Sequence, residues 1–257
     1  MKLGPDIAAV VVGGASGMGE ATVRALRARD VRVAVLDFNR EKGAAIAAET
    51  GAACFQTDVT DEASVVAAFE AARARQGQER IAIITPGGGG LGHTAWRDAT
   101  TGAIRRHDFS RFARIVALNL NGTFLCASIA AAGMLALEPD PSGDRGVIVM
   151  TSSTASQDGP AATAAYVAAK AGINGMTLSI ARDLAPERIR VNTILPGNFA
   201  TPLIAGLPDD YMAQMQSWNL HPKRFGQPAE YASLAIEIVQ NGYFNAALLR
   251  LDGGARL

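Results

Sequence analysis

Cysteine is nearly missing from this sequence, with only Cys54 and Cys126 in 257 residues and no CxxC pair. That argues against a disulfide framework and for a reducing compartment, with two partly buried thiols as the plain expectation. Histidine is scarce too. His93, His107 and His221 stand apart, with no carboxylate or cysteine at ligand spacing, so no metal site is expected. Neither sign of charge is in excess, 24 basic residues facing 24 acidic ones, which leaves no field to attract nucleic acid or anionic lipid. No segment approaches the roughly 20 uninterrupted apolar residues of a membrane helix. The first apolar run is short and leads straight into glycines, unlike a signal peptide. No membrane partner is expected, and a cytoplasmic location is the default.

What the chain does have is a globular composition, 49% hydrophobic and 19% charged. Short β-branched apolar runs at 7–12, 31–36, 53–56, 81–85, 147–151, 190–195 and 248–251 alternate with Ala-rich stretches at 17–29, 40–50, 61–76, 109–137, 161–185 and 228–240. Seven strands alternating with six helices predict a parallel sheet covered on both faces. No composition shift or repeat divides the chain, so residues 1–257 read as one domain. Segments 87–108 and 198–225 break the rhythm, and long connections of this kind are candidate substrate walls, the second a candidate lid.

After the first strand comes Gly13-Gly14-Ala15-Ser16-Gly17-Met18-Gly19. Glycines there let the backbone turn tightly and approach a pyrophosphate at a helix N-terminus, so Gly13, Ser16, Gly17, Met18 and Gly19 are candidate cofactor contacts. Asp37 ends the second strand, at the spacing of a ribose-binding carboxylate, and the fold class becomes an α/β, Rossmann-type doubly wound domain with a seven-stranded parallel sheet. A carboxylate accepts from both ribose hydroxyls and repels a 2′-phosphate, so NAD is expected over NADP, although Arg40 lies close. Asp58 and Val59 follow the third strand. Asp58 reads equally as an adenine contact or as the N-cap of the helix that begins at 61.

Tyr166 and Lys170 stand four residues apart in a helical stretch, so phenol and ammonium share a face. An adjacent cation favours the phenolate, which could then accept an alcohol proton. With the glycine turn, Asp37, Asp58-Val59, Asn119, Ser153 and Pro196-Gly197 in the same order and spacing, the sequence resembles the short-chain dehydrogenase/reductase family over nearly its whole length. The resemblance implies that Ser153 stabilises the substrate oxygen, Tyr166 is the acid–base residue, and Lys170 also grips the nicotinamide ribose. It implies that Asn119 anchors a proton-relaying water. From its place in LNLNGTF alone, Asn119 reads as a buried amide or as the seat of a helix kink. Pro196, Gly197, Phe199 and Thr201 are implied holders of the nicotinamide carboxamide, and Gly87 an implied contact at the pocket edge.

Within the family, the stretches 176–186, 189–191, 228–232 and 249–256 are most similar to the type 2 3-hydroxyacyl-CoA dehydrogenases, also called 17β-hydroxysteroid dehydrogenase type 10. The segment 87–108 matches their insertion in length. This implies a 3-hydroxyacyl-CoA substrate and a homotetramer, with a hydroxysteroid or other secondary alcohol as the alternative substrate and a non-catalytic dinucleotide-binding scaffold as the alternative of another class. Three departures stand out. Val12 replaces the usual Thr, Thr85-Pro86-Gly87-Gly88 replaces Asn-Asn-Ala-Gly, and Pro160 replaces a pocket Gln. Phe199, Leu203, Leu207, Met212, Met215 and Trp218 read as an apolar lid or a subunit interface. Arg97, Arg105 and Arg106 read as contacts to CoA phosphates or as a solvated face.

Overall fold

The computed structural model describes residues 1–202 and 204–256. Seven strands form one wholly parallel sheet: β1 (Ala8–Val12), β2 (Arg32–Asp37), β3 (Ala53–Gln56), β4 (Ile81–Ile84), β7 (Gly146–Thr151), β8 (Ile189–Pro196) and β9 (Leu248–Leu251). Their order across the sheet is β3-β2-β1-β4-β7-β8-β9. The chain winds one way from β1 to β3 and the other way from β4 to β9. The crevice between the carboxyl ends of β1 and β4 is the point where doubly wound sheets bind ligands.

Both faces of the sheet are covered, which is why the strands are continuous apolar runs and not alternating ones. On one face Val10, Ile84, Ile148 and Met150 pack against Phe69 of α3 (Glu62–Gln76), Met134 of α5 (Gly122–Met134) and Ile173 of α7 (Ala164–Leu184). On the other, Val11, Ile83 and Val149 pack against Leu26 of α1 (Gly17–Arg27) and Tyr231 of α9 (Pro228–Gln240). Each fully buried side chain of this size contributes about 1.5–3 kcal/mol. The helix α2 (Arg40–Thr50) starts where the Asn39 side chain accepts from Lys42 N and stops at Gly51, whose φ of 71° is left-handed.

The departures from the expected seven strands and six helices fall partly in the irregular segments and partly within or beside expected helices. Within 87–108, β5 (Ala95–Arg97) and β6 (Ile104–Arg106) form an exposed antiparallel ribbon. The single long helix expected at 109–137 is α4 (Phe109–Val116), a π-helical turn (Ala117–Asn121) and then α5. Two further helices, α6 (Ala155–Asp158) and α8 (Asp209–Ser217), complete the described residues' secondary structure with a 3-10 turn at Ala185–Glu187. The run Phe109–Met134 is long and apolar enough to cross a membrane, but Cys126, Ala127, Ala130 and Met134 are buried in the core.

Candidate active site

A cleft of about 320 Å³ opens at the carboxyl ends of β1 and β4. Gly13, Ser16, Gly17, Met18, Gly19, Asp37, Asp58, Val59, Gly87 and Thr201 all line it. Gly13 and Gly17 adopt φ of 75° and 54°, which side-chain-bearing residues rarely do. A Cβ at Gly19 would collide with the Gly13 carbonyl oxygen, so the turn closes only without one. Ser16 is the N-cap of α1 but makes no side-chain cap bond, so the first turn of α1, whose Gly17, Met18 and Gly19 line the cleft, keeps N–H groups without a capping side chain.

The turn has a brace that sequence reasoning missed. The Thr85 hydroxyl donates to the Val12 carbonyl at 2.8 Å and reaches the Gly13 carbonyl at 3.2 Å. The hydroxyl absent at Val12 is thus replaced by one from the end of β4. The Thr85-for-Asn exchange next door is the only sequence sign of it.

At the far edge, Asp37 is held by two backbone donors, Ala15 N–H on Oδ2 at 2.9 Å and Asn39 N–H on Oδ1 at 2.8 Å. Each oxygen keeps a lone pair for a further donor. The Asp58 carboxylate accepts from Thr60 N and Oγ1. The N-cap reading of Asp58 is corrected, because α3 is capped by Asp61, whose side chain accepts from Ala63 N. Val59 is buried against Gly122. A cradle of glycines that a Cβ would fill, closed by a fixed carboxylate, fits a dinucleotide.

Gly87 joins this cleft to the second cluster. A Cβ on it would lie 2.9 Å from Asn119 Oδ1 and 3.1 Å from Lys170 Nζ. Asn119 is fully buried in the π-helical turn, where Nδ2 donates to the carbonyls of Gly88 and Ile115, both at 2.9 Å. Both readings of Asn119 hold at once, a buried amide seated where the helix is locally widened. Its side chain ties down residue 88, and its main-chain oxygen accepts from Thr123 Oγ1 at 2.6 Å.

Lys170 is buried and donates to the Thr151 carbonyl at 2.9 Å. Burial pulls its ammonium down to about 7. Its Nζ lies 5.7 Å from the centre of the Tyr166 ring. Burial also raises the Tyr166 phenol, and the Ser153 hydroxyl, hydrogen-bonded to it, pulls it back. Desolvation thus acts on both groups, and Ser153 is the opposing influence on the phenol. Ser153 Oγ accepts the Ala155 N–H at 3.2 Å.

Other expected contacts sit elsewhere. Pro196 and Gly197 are engaged with the backbone of Thr154 and Leu251 and do not line the cleft. Phe199 is buried in the core with its ring packed directly on Gly226, and it lines a second, smaller cavity and not the cleft. Of the apolar lid, Phe199 and Met215 are buried, Leu207, Met212 and Trp218 are half-exposed, and Leu203 lies outside the described residues. Arg97, Arg105 and Arg106 are exposed on the ribbon, with Arg105 paired to Asp98 at 3.2 Å. Leu36, Phe38, Thr57, Leu118 and Pro202 also line the cleft. Each adjoins a residue already singled out, Asp37, Asp58, Asn119 or Thr201, and that adjacency is the one sequence signal for them.

Comparison with known proteins agrees with this geometry. The family model described as short chain dehydrogenase matches residues 7–211. The 3-hydroxyacyl-CoA dehydrogenase type-2 proteins of Bos taurus and Homo sapiens are each 40% identical over 253 residues, 98% of this chain and 95% of the relative. That of Drosophila melanogaster is 38% identical over 96% of both chains. The crystal structure of 3-hydroxyacyl-CoA dehydrogenase type-2 from Mycobacterium avium is 42% identical, with a TM-score of 0.92 over 98% of this chain and 96% of that one. The chain is thus an oxidoreductase of a kind that uses a nicotinamide dinucleotide, and it belongs to the short-chain dehydrogenase family.

Proposed function

We propose that the protein interconverts a 3-hydroxyacyl-CoA and its 3-ketoacyl-CoA with NAD as the coenzyme. The observation that carries the coenzyme choice is Asp37, whose two oxygens are oriented by backbone N–H groups at the cleft edge. A fixed carboxylate there accepts from ribose hydroxyls and repels a phosphate. The substrate class rests on the full-length likeness to proteins named 3-hydroxyacyl-CoA dehydrogenase type-2. The exposed Arg97, Arg105 and Arg106 of the β5–β6 ribbon supply cations of the kind CoA phosphates need.

When bound, NAD supplies the hydride acceptor. Gly13, Ser16, Gly17, Met18 and Gly19 hold its pyrophosphate side, Asp37 its ribose, and Gly87 and Thr201 its nicotinamide end. Tyr166 takes the proton from the substrate hydroxyl as the alcohol is oxidised and returns it in the reverse direction. Ser153 keeps its own proton free, because its oxygen is the acceptor for Ala155 N–H, and donates it to the substrate oxygen. Lys170, held on Thr151 with its ammonium lowered to about 7, is given both the ribose anchor and a share in proton exchange. Asn119 has committed its side chain to Gly88 and Ile115, and its main-chain oxygen, which accepts from Thr123 Oγ1, keeps a second lone pair for a relay water.

Exposed Phe109, Phe124 and Leu178 on the outer helices, Tyr243 before β9 and Leu248 at its start support assembly as a homotetramer, which light scattering tests. A cytoplasmic location completes the proposal. The coenzyme assignment is tested by steady-state rates with NAD and NADP. A higher kcat/KM with NAD is expected, and a preference for NADP contradicts it.

A further inference from the structure

The catalytic serine is tied to the helix that bears Tyr166 and Lys170 through two side chains with no assigned role. Ser153 lies between β7 and α6, and its carbonyl oxygen accepts twice from Ser156, from the N–H at 3.1 Å and from the hydroxyl at 2.5 Å. The Ser156 hydroxyl accepts in turn from Asn174 Nδ2 at 2.7 Å. Asn174 stands on α7, one turn beyond Lys170. The preceding residue is tied to the same helix, since the Ser152 hydroxyl donates to the Lys170 carbonyl at 2.8 Å.

A hydroxyl has one proton to give. Ser156 spends it on Ser153, so it must meet a donor on its other side, and the Asn174 amide turns its N–H toward it. That orientation leaves Asn174 Oδ1 buried with no partner. Buried carbonyls are nearly always satisfied, and the opposite orientation would offer this oxygen the Ser156 proton while taking it from Ser153. The arrangement leaves the amide oxygen unpaired and keeps Ser153 fixed. With its carbonyl held by Ser156 and its Oγ by Ala155 N–H, Ser153 has both its peptide plane and its hydroxyl oxygen set.

We propose that Ser156 and Asn174 are positioning residues that aim the Ser153 hydroxyl at the substrate oxygen beside Tyr166. This rests on the reading of Ser153 as the donor to that oxygen. A small misplacement of such a group is felt in turnover and much less in dinucleotide binding, because neither residue lines the cofactor cleft.

The test is steady-state kinetics with 3-hydroxybutyryl-CoA and NAD on Ser156→Ala, Ser156→Thr, Asn174→Asp and Ser153→Ala, and on Ser156→Ala combined with Ser153→Ala. Ser156→Ala is expected to lower kcat about tenfold with the dinucleotide Kd unchanged, and Ser156→Thr, which keeps the hydroxyl, to restore it. Asn174→Asp keeps the shape but turns the donor into an acceptor that competes for the Ser156 proton, and should match Ser156→Ala. In the Ser153→Ala background the Ser156 change should cost little more. Wild-type kcat in Ser156→Ala or Asn174→Asp, or an undiminished further loss in the double variant, overturns the proposal. Wild-type kcat in Ser153→Ala overturns the reading of Ser153 itself, a separate result.

Discussion

Lys170 holds its ammonium 2.9 Å from the carbonyl oxygen of Thr151, in a site so closed that burial lowers its proton affinity to about 7. Unfolded, the same lysine titrates near ~10.4. Between these values the unfolded chain binds more protons than the folded one, so folding is favoured increasingly as pH rises from about 7 to the unfolded value. Below pH 7 both states are protonated and the buried charge weighs against the fold. The slope from this group reaches at most about 1.4 kcal/mol per pH unit. Denaturant titrations from pH 7 to 10 should show wild-type protein gaining stability relative to Lys170→Met, and parallel curves would show that the lysine is not buried as a partly neutral amine.

Tyr166→Phe removes the phenol while keeping the ring. Turnover should fall by about 10²–10⁴-fold, the usual worth of a general acid–base group, with NADH binding by fluorescence unchanged. Turnover within twofold of wild type would move the proton-transfer role elsewhere.

The join between cofactor cleft and catalytic cluster is narrow. Gly87→Ala places a methyl group 2.9 Å from Asn119 Oδ1, so close that one of the two must shift, and 3.1 Å from Lys170 Nζ, a tight contact. A fall in kcat of about tenfold or more is expected, with a small change in Tm, since only the active-site groups must shift. An unchanged kcat would mean that the loop yields freely.

Thr85→Val deletes the brace on the glycine turn without changing side-chain shape. About 1 kcal/mol of stability should be lost and NAD should bind more weakly, both measurable by thermal shift with and without the coenzyme. Equal coenzyme-induced shifts in the two proteins would show the brace to be irrelevant to binding.

How much of this was legible in the sequence depended on whether the signal was local. The helix Pro228–Gln240 carries its own boundary marks, Pro at its first turn and a Gln227–Glu230 capping box, and the sequence reading placed it there. The parallel strands stood out as apolar runs because both their faces are buried. The β5–β6 ribbon left no such trace, with three-residue strands exposed throughout. Asp58 and Asp61 both suit an N-cap, and only the backbone shows that Asp61 takes it. The cofactor turn could be read residue by residue, whereas the Thr85 brace and the Ser156–Asn174 link join residues 18 or more positions apart and exist only through the fold. The inward packing of the Phe199 ring on Gly226 likewise leaves no local mark in the sequence.

The most direct measurement is kcat/KM for NAD-dependent oxidation of 3-hydroxybutyryl-CoA, set beside free 3-hydroxybutyrate, a hydroxysteroid and a simple secondary alcohol. The thioester should exceed the others by at least about tenfold, with the excess reduced when Arg97, Arg105 and Arg106 are replaced together by Gln. A steroid or small alcohol turned over more efficiently than the thioester would contradict the assigned substrate.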